Sequence, residues 1–160
     1  MVQNRWEYMQ IKDQNGSFGS IQERMLNLAR TFEYFDHNKQ LQAKAKARLL
    51  SWGTHIDVTD AQGLKIGSIE EQVIKSLFKV STSYVIKDAT GAEVADSGKL
   101  DLFSTEFKIK DRSQKTIATM NRSNFDIGGA TWHCHVDADI GFDKRLLLFI
   151  PAYKTASDNK

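Results

Sequence analysis

The chain has 160 residues, enough for one domain whose core is stable without disulfides or metal ions. Hydrophobic residues make up 41% and charged residues 26% of the sequence, which argues against a disordered chain or a fibrous repeat. A net charge of +2 is too small for bulk attraction to nucleic acid, so no nucleic-acid partner is expected.

Three further features of the sequence bear on where in the cell the protein is located. The single cysteine, Cys134, cannot form an intramolecular disulfide, which is typical of a reducing compartment. The first residues lack the basic and apolar regions of a secretory signal. The longest apolar run, residues 146–153, is eight residues long, against the roughly 20 needed to span a bilayer. We expect a cytoplasmic protein, peripheral rather than integral if it associates with a membrane.

A four-residue turn that opens with Asp recurs along the chain. Asp at the first position caps the turn through its side chain, and Gly at the fourth position relieves backbone strain, as in type I turns. Successive Asp residues are 23, 24, 28 and 23 residues apart, which is room for two short strands and a second connection. The spacing predicts a series of β-hairpins. The five turns are residues 13–16, 36–39, 60–63, 88–91 and 111–114.

Between the turns, apolar and polar side chains alternate as strands with one buried face require, for example over residues 54–59. Residues 32–69 align with residues 84–120, with Asp36 on Asp88, which indicates an internal duplication. A meander of about ten to twelve short strands would expose its edges, so we expect a closed antiparallel barrel.

The C-terminal apolar segment is predicted to fill the barrel. A helix over residues 145–153 would be apolar on every side and must therefore be buried on every side. We expect the helix over about residues 144–156, with a bend or an end at Pro151, which removes one helical hydrogen bond. A final β-strand over residues 145–150 is the alternative.

Three stretches carry a resemblance to a known family: residues 102–111, 115–119 and 131–136. With the hairpins before them and the apolar helix after them, they resemble the tubby C-terminal-like superfamily, specifically its LURP-one-related and phospholipid-scramblase-like branch. The resemblance covers roughly residues 21–155 and implies a barrel of twelve strands around a central helix. It also implies binding of phosphoinositide headgroups or movement of lipids between leaflets. We expect a tubby-like barrel over residues 21–160, preceded by an extension over residues 1–20 with a hairpin of its own.

Two rows of cations are candidates for an anion-binding or lipid-binding site, because each row projects from one side of a predicted strand. Alternate strand residues lie about 6–7 Å apart, a spacing that suits phosphate oxygens or neighbouring lipid headgroups. The alternative is a solvated exterior whose lysines prevent edge pairing. We expect a non-enzymatic domain that recognises anionic phospholipid headgroups; a protein-interaction or structural module without lipid binding is the other interpretation. The rows are Lys44, Lys46 and Arg48, and Lys108, Lys110 and Arg112.

The sequence contains few patterns that are typical of a catalytic or metal site. On a strand, His133 and His135 would share one face, where a third ligand from a neighbouring strand would be needed to hold a transition metal. A solvated outer face explains the two histidines better, and Cys134 on the opposite face is expected in the core. Adjacent strand residues point to opposite sides, which disfavours a Cys–His catalytic pair. Gly128 and Gly129 lack the helix and lysine of a phosphate loop and are expected to form a turn or bulge.

A weak calcium candidate precedes the terminal segment, where Asp137, Asp139 and Asp143 cluster and where scramblase-like proteins also carry an acidic segment. The loop here is short and has no terminal Glu, so too few ligands remain for a tight site. The favoured interpretation is that Asp143 caps the helix. We expect no catalytic residue, no metal and no cofactor.

Overall fold

The computed structural model describes residues 7–13, 16–26, 29–77, 79–101, 104–123 and 131–158. They form twelve β-strands and one C-terminal α-helix, which confirms the predicted mainly β fold and excludes the alternative of a final strand. The strands are β1 (Glu7–Asp13), β2 (Gly16–Leu26), β3 (Ala29–Asp36), β4 (Leu41–Leu50), β5 (Gly53–Asp60), β6 (Lys65–Lys75), β7 (Val80–Asp88), β8 (Glu93–Asp96), β9 (Leu100–Asp101), β10 (Glu106–Asp111), β11 (Thr116–Ser123) and β12 (Thr131–Val136), and the helix is α1 (Arg145–Asp158).

The strands form one antiparallel sheet in which nearly every strand pairs with its neighbours in sequence. Its order is β1-β2-β3-β4-β5-β6-β7-β8-β10-β11-β12, and β9 pairs with β7. The β1–β2 hairpin belongs to this sheet, because β2 pairs with β3 from Gly19 to Leu26. Successive turns therefore alternate between two ends of the sheet. We call these the Asp-turn end, which carries the turns after β1, β3, β5, β7 and β10, and the loop end, which carries the turns after β2, β4, β6 and β11.

The sheet is not closed into a barrel, so this part of the prediction is wrong. β1 and β12 are its two edges, and no pairing joins them in the described part of the chain. The edges are blunted in other ways: β1 carries a bulge between Ile11 and Lys12, and β12 has only six residues. Apolar side chains at both edges, Met9 and Trp132, pack against the core. Burial against the core takes the place of a closing strand pair.

Helix α1 lies inside the curve of the sheet. Its apolar side chains are almost completely inaccessible, apart from Leu148, which is partly buried. Arg145 Nη1 donates to the Gln42 carbonyl oxygen on β4 at 2.7 Å. Far along the sheet, Trp132 Nε1 on β12 donates to Thr155 Oγ1 at 2.9 Å. Contacts with strands so far apart require the sheet to wrap around the helix. The helix continues through Pro151, so it does not end there.

No helix within the described residues has the length and apolar character needed to cross a bilayer.

The turns of the Asp-turn end share one hydrogen-bond pattern, which confirms them as hairpin tips. The Asp side chain accepts from the backbone N–H groups two and four residues later, and its carbonyl oxygen accepts from the N–H three residues later, all at 2.8–3.1 Å. The fourth residue has a positive φ, even where it is Lys39 (60°) or Gln114 (67°). Residues 14–15 of the first predicted turn lie outside the described residues. The four turns open at Asp36, Asp60, Asp88 and Asp111.

Candidate functional site

The first row of cations lies on β4, where burial alternates as predicted. The alanines face the core, and Lys44, Lys46 and Arg48 are exposed on the outer face. Carboxylates of the neighbouring strands neutralise two of the three. Lys44 Nζ lies 3.3 Å from Glu33 Oε1 on β3, and Arg48 Nη2 lies 2.6 Å from Asp57 Oδ2 on β5. This row is therefore part of a cross-strand network of ion pairs in which each carboxylate is shared by two cations.

The carboxylates of this network each hold further partners. Glu33 Oε2 lies 3.1 Å from Arg24 Nε, and Asp57 Oδ1 lies 3.5 Å from Lys65 Nζ. His55 Nε2 is 3.0 Å from Asp57 Oδ1. Burial tends to raise the pKa of Asp57, but the hydrogen bond from His55 and the surrounding cations outweigh it and lower the pKa below its usual value. Asp57 therefore stays ionised and keeps its cations at neutral pH.

The second row of cations differs in having no such partners. Phe107 and Ile109 of β10 are buried, so Lys108 and Lys110 project from the outer face, and Arg112 is exposed in the following turn. None of these three cations lies within 4 Å of a carboxylate oxygen of another described residue. Within the described residues, this row of cations therefore has no ion pair with a carboxylate.

The outer face of β10 continues across β11 onto β12. Lys108 is paired with Thr119, and Thr119 is paired in turn with His135. Glu106 and His133 occupy the next outer row and are also exposed. The predicted outer position of both histidines is confirmed, and Glu106 is an acidic group at the start of an otherwise basic strip.

Cys134 is exposed, so its predicted place in the core is wrong. It does share a face with Trp132 and Val136, but both of these are only half-buried, because β12 is an edge of the sheet that the described residues form. Protein atoms near the sulfur still desolvate the thiol and raise its pKa to about 11. Such a thiol is protonated at neutral pH and is a poor nucleophile. Gly128 and Gly129, which precede this strand, lie outside the described residues.

The carboxylates of the acidic loop before the helix do not converge on a common point. Asp137 Oδ2 lies 3.1 Å from Lys115 Nζ, and Asp139 Oδ1 accepts from the Gly141 backbone N–H at 3.2 Å. No group of three or more His, Cys, Asp or Glu side chains with metal-binding geometry occurs in the described ranges. The weak calcium candidate thus consists of separate groups with separate partners.

Asp143, the third carboxylate, sits at the start of the helix. Its Oδ1 accepts from the Arg145 backbone N–H at 2.9 Å, and its Oδ2 lies 2.7 Å from Arg145 Nη2. The hydrogen bond with the Arg145 side chain lowers the pKa of Asp143 and outweighs the effect of burial. This is the geometry of a helix N-cap reinforced by an ion pair.

A group of exposed apolar side chains that was not predicted from the sequence lies at the loop end, and we call it the apolar rim. Two neighbouring turns supply it, the one between β4 and β5 and the one between β6 and β7. One signal was present in the sequence: Leu49 and Leu50 interrupt the alternation of alanine with basic residues on β4. The rim consists of Leu49 (71% exposed), Leu50 (60%), Trp52 (76%), Ile74 (37%), Leu77 (92%) and Val80 (38%).

Behind the apolar rim, polar groups join the end of the helix to the sheet. The Tyr153 hydroxyl donates to Glu71 Oε2 at 2.8 Å and lies 2.6 Å from Thr54 Oγ1. Arg30 pairs with Glu23 and donates to a carbonyl oxygen of the helix at 2.7 Å. These contacts fix the position of the helix at the loop end.

Scans against protein-family models, curated proteins and solved structures found no match to this chain.

Proposed function

We propose that the chain is a non-enzymatic, tubby-like binding domain that recognises anionic phospholipid headgroups at a cytoplasmic membrane surface. The difference between the two rows of cations carries this proposal. On β4, Lys44 and Arg48 each form an ion pair with a carboxylate of a neighbouring strand. Lys108, Lys110 and Arg112 have no carboxylate partner among the described residues, so they can contact phosphate without first breaking an ion pair.

The size of the expected attraction follows from the number of cations. A Lys or Arg close to an anionic membrane surface contributes about 1 kcal/mol, so three contribute about 3 kcal/mol. That corresponds to roughly two orders of magnitude in affinity. Because the Debye length at physiological salt is about 8 Å, this attraction should weaken strongly as salt is added.

Vesicle flotation tests the proposal. The wild-type chain should float with phosphatidylcholine vesicles that contain phosphatidylserine or a phosphoinositide, and not with phosphatidylcholine alone. Removing the three β10 charges should weaken binding about 100-fold. Removing three charges from β4 should weaken it much less, although the net charge changes equally. The matched variants are K108Q/K110Q/R112Q and K44Q/K46Q/R48Q.

Each outcome has a definite meaning. An equal loss in both variants would show that net charge, rather than the β10 row, drives binding. If the wild-type chain ignores anionic vesicles at low salt and forms a stable oligomer in size-exclusion chromatography, the lipid proposal is wrong and the protein-interaction alternative holds.

The non-enzymatic part of the proposal is supported by the chemistry of β12. Cys134 has a raised pKa, and His133 and His135 lie on the other face of the strand. A thiol and an imidazole on opposite faces cannot exchange a proton directly.

A further inference from the structure

The apolar rim is unusual for a surface built from turns. Turns normally carry polar residues, and single exposed apolar side chains are common and need no explanation. Here Leu49, Leu50, Trp52 and Leu77 are each at least 60% exposed. Leaving four large apolar side chains in water at one end of the domain is unfavourable unless another apolar phase covers them.

The two turns that carry the rim form one continuous surface. The Trp52 carbonyl oxygen accepts from the Val73 N–H at 2.9 Å, which ties the β4–β5 turn to β6. The β6–β7 turn is closed by Ser76, whose N–H and hydroxyl donate to the Lys79 carbonyl oxygen at 2.9 and 2.8 Å. The rim is therefore held in place by hydrogen bonds rather than formed by two independent loops.

The charges around the rim point to an anionic surface as the partner. Residues 49–53 and 74–80 contain two lysines, Lys75 and Lys79, and no acidic residue. Lys79 pairs with Asp101 at 2.7 Å, whereas Lys75 pairs with no carboxylate of the described residues and can contact phosphate without breaking an ion pair. Tryptophan, leucine and lysine side by side are the residues that suit the boundary between headgroups and acyl chains.

We infer that the apolar rim inserts into the interfacial layer of an anionic phospholipid bilayer, with Trp52 and Leu77 among the acyl chains and Lys75 and Lys79 at the phosphates. The inference rests on the proposed function for the class of lipid, but it assigns the contact to other residues. It also sets the orientation of the domain, with the loop end toward the membrane and the Asp-turn end away from it.

This orientation predicts unequal contributions from the β10 cations. β10 begins at the loop end with Glu106 and runs toward the Asp-turn end, so Lys108 lies nearest the membrane and Arg112 farthest. At about 3.3 Å per residue, Arg112 is roughly 13 Å farther along the chain than Lys108, more than a Debye length at physiological salt. Lys108→Gln should therefore weaken vesicle binding more than Arg112→Gln does.

The decisive comparison is between two exposed apolar surfaces of this chain. The variant Trp52→Ser/Leu77→Ser removes two large side chains from the rim, and Leu64→Ser removes a leucine that is 68% exposed at the Asp-turn end. The rim variant should lose about tenfold per side chain, or about 100-fold, in binding to phosphatidylserine vesicles. The Leu64 variant should bind like the wild type. Both should melt at the wild-type temperature, because the altered side chains are exposed.

Insertion itself is measured with an environment-sensitive fluorophore on a single cysteine. In a Cys134→Ser background, the label is placed at Ser51 in the rim or at Ala61 in the β5–β6 turn. Vesicles should shift the emission of the Ser51 label to the blue and leave the Ala61 label unchanged.

Failure of this inference is distinguishable from failure of the proposed function. If the rim variant binds vesicles like the wild type while K108Q/K110Q/R112Q binds them more weakly, headgroup recognition by the β10 row holds and rim insertion is wrong. If the wild-type chain binds no vesicles but forms an oligomer, and the rim variant is monomeric, the rim is a protein contact. Rim insertion and headgroup recognition are then both wrong.

Discussion

The hydroxyl group of Tyr153 ties the helix to two strands, and Tyr153→Phe removes that group alone. The side chain is 5% exposed, and its hydroxyl donates to Glu71 while lying 2.6 Å from the Thr54 hydroxyl. A neutral hydrogen bond contributes about 0.5–1.5 kcal/mol, and one to a charged group about 1.5–3 kcal/mol. We expect the substitution to lower the free energy of unfolding by about 2–4 kcal/mol, because Thr54 is left in a buried site without this partner.

Urea and thermal unfolding measure this loss. For a chain of this size each kcal/mol shifts the Tm by about 2–4 °C, so the Tm should fall by roughly 5–15 °C. Tyr34→Phe is the matched control: Tyr34 is also buried, but none of the described residues hydrogen-bonds its hydroxyl, and its loss should cost less than about 1 kcal/mol. A double-mutant cycle with Thr54→Val should give a coupling energy of about 0.5–3 kcal/mol. A Tyr153→Phe variant as stable as the control, or zero coupling with Thr54→Val, would refute the assigned role.

Four other predictions concern stability. Deleting the chain after Lys144 should abolish soluble expression, because the inner face of the sheet loses the helix that covers it; a truncated chain with a cooperative thermal transition would contradict this. Gly67→Ala should cost about 1–3 kcal/mol or more in urea unfolding, because a Cβ atom there would lie 2.7 Å from Leu146 Cδ1 and closer still to a backbone oxygen of β7. Asp143→Ala should cost about 0.5–2 kcal/mol at neutral pH. Because the pKa of Asp143 is lowered in the folded state, its contribution is present above the ordinary value of 3.8, and thermal melts should show the difference from wild type shrinking as the pH falls below it. Burial, together with the charge of Glu71, raises the pKa of Tyr153 above its usual 10.0, so the folded state binds that proton more tightly. The wild-type chain should lose stability as the pH rises past about 10, and Tyr153→Phe should lose less.

The hairpin architecture could be predicted because its determinants are local. An Asp side chain selects each turn through hydrogen bonds within five residues, as at Asp60 and Asp88, and alternation then decides which side of each strand is buried. The helix was predictable for a related reason, since a segment apolar on every side needs cover on every side.

Closure of the sheet could not be predicted in the same way. The cost of exposed edges favoured a barrel, but that cost depends on the shape of the edges and on what packs beneath them. Cys134 illustrates the difference: its face was predicted correctly from the alternation of β12, whereas its burial was not. Alternation specifies the face on which a side chain lies, and its burial depends in addition on the strands and the helix that surround that face.

The cation rows show the same limit for a candidate site. Their outward direction follows from sequence, but the carboxylates that neutralise Lys44 and Arg48 belong to β3 and β5. Glu33 is 11 residues from Lys44 and Asp57 is nine residues from Arg48, and neither separation in sequence predicts a contact. The strand register brings the charges together, with Glu33 directly opposite Lys44. Two rows that look equivalent in the sequence thus differ in the charge they offer a ligand.

The two ends of the sheet differ in what they leave available for binding. At the Asp-turn end, one carboxylate oxygen of each Asp that opens a described turn accepts from the backbone of its own turn, as Asp36 Oδ1 does from the N–H groups of Asn38 and Gln40. These turns are constrained by their own hydrogen bonds. At the loop end, the β4–β5 and β6–β7 turns carry leucine, tryptophan and lysine instead. Function in β domains is usually carried by connections that the scaffold leaves free to vary. On that reasoning, substitutions at the loop end should change binding with little effect on folding, and substitutions of the turn-opening Asp residues should do the reverse.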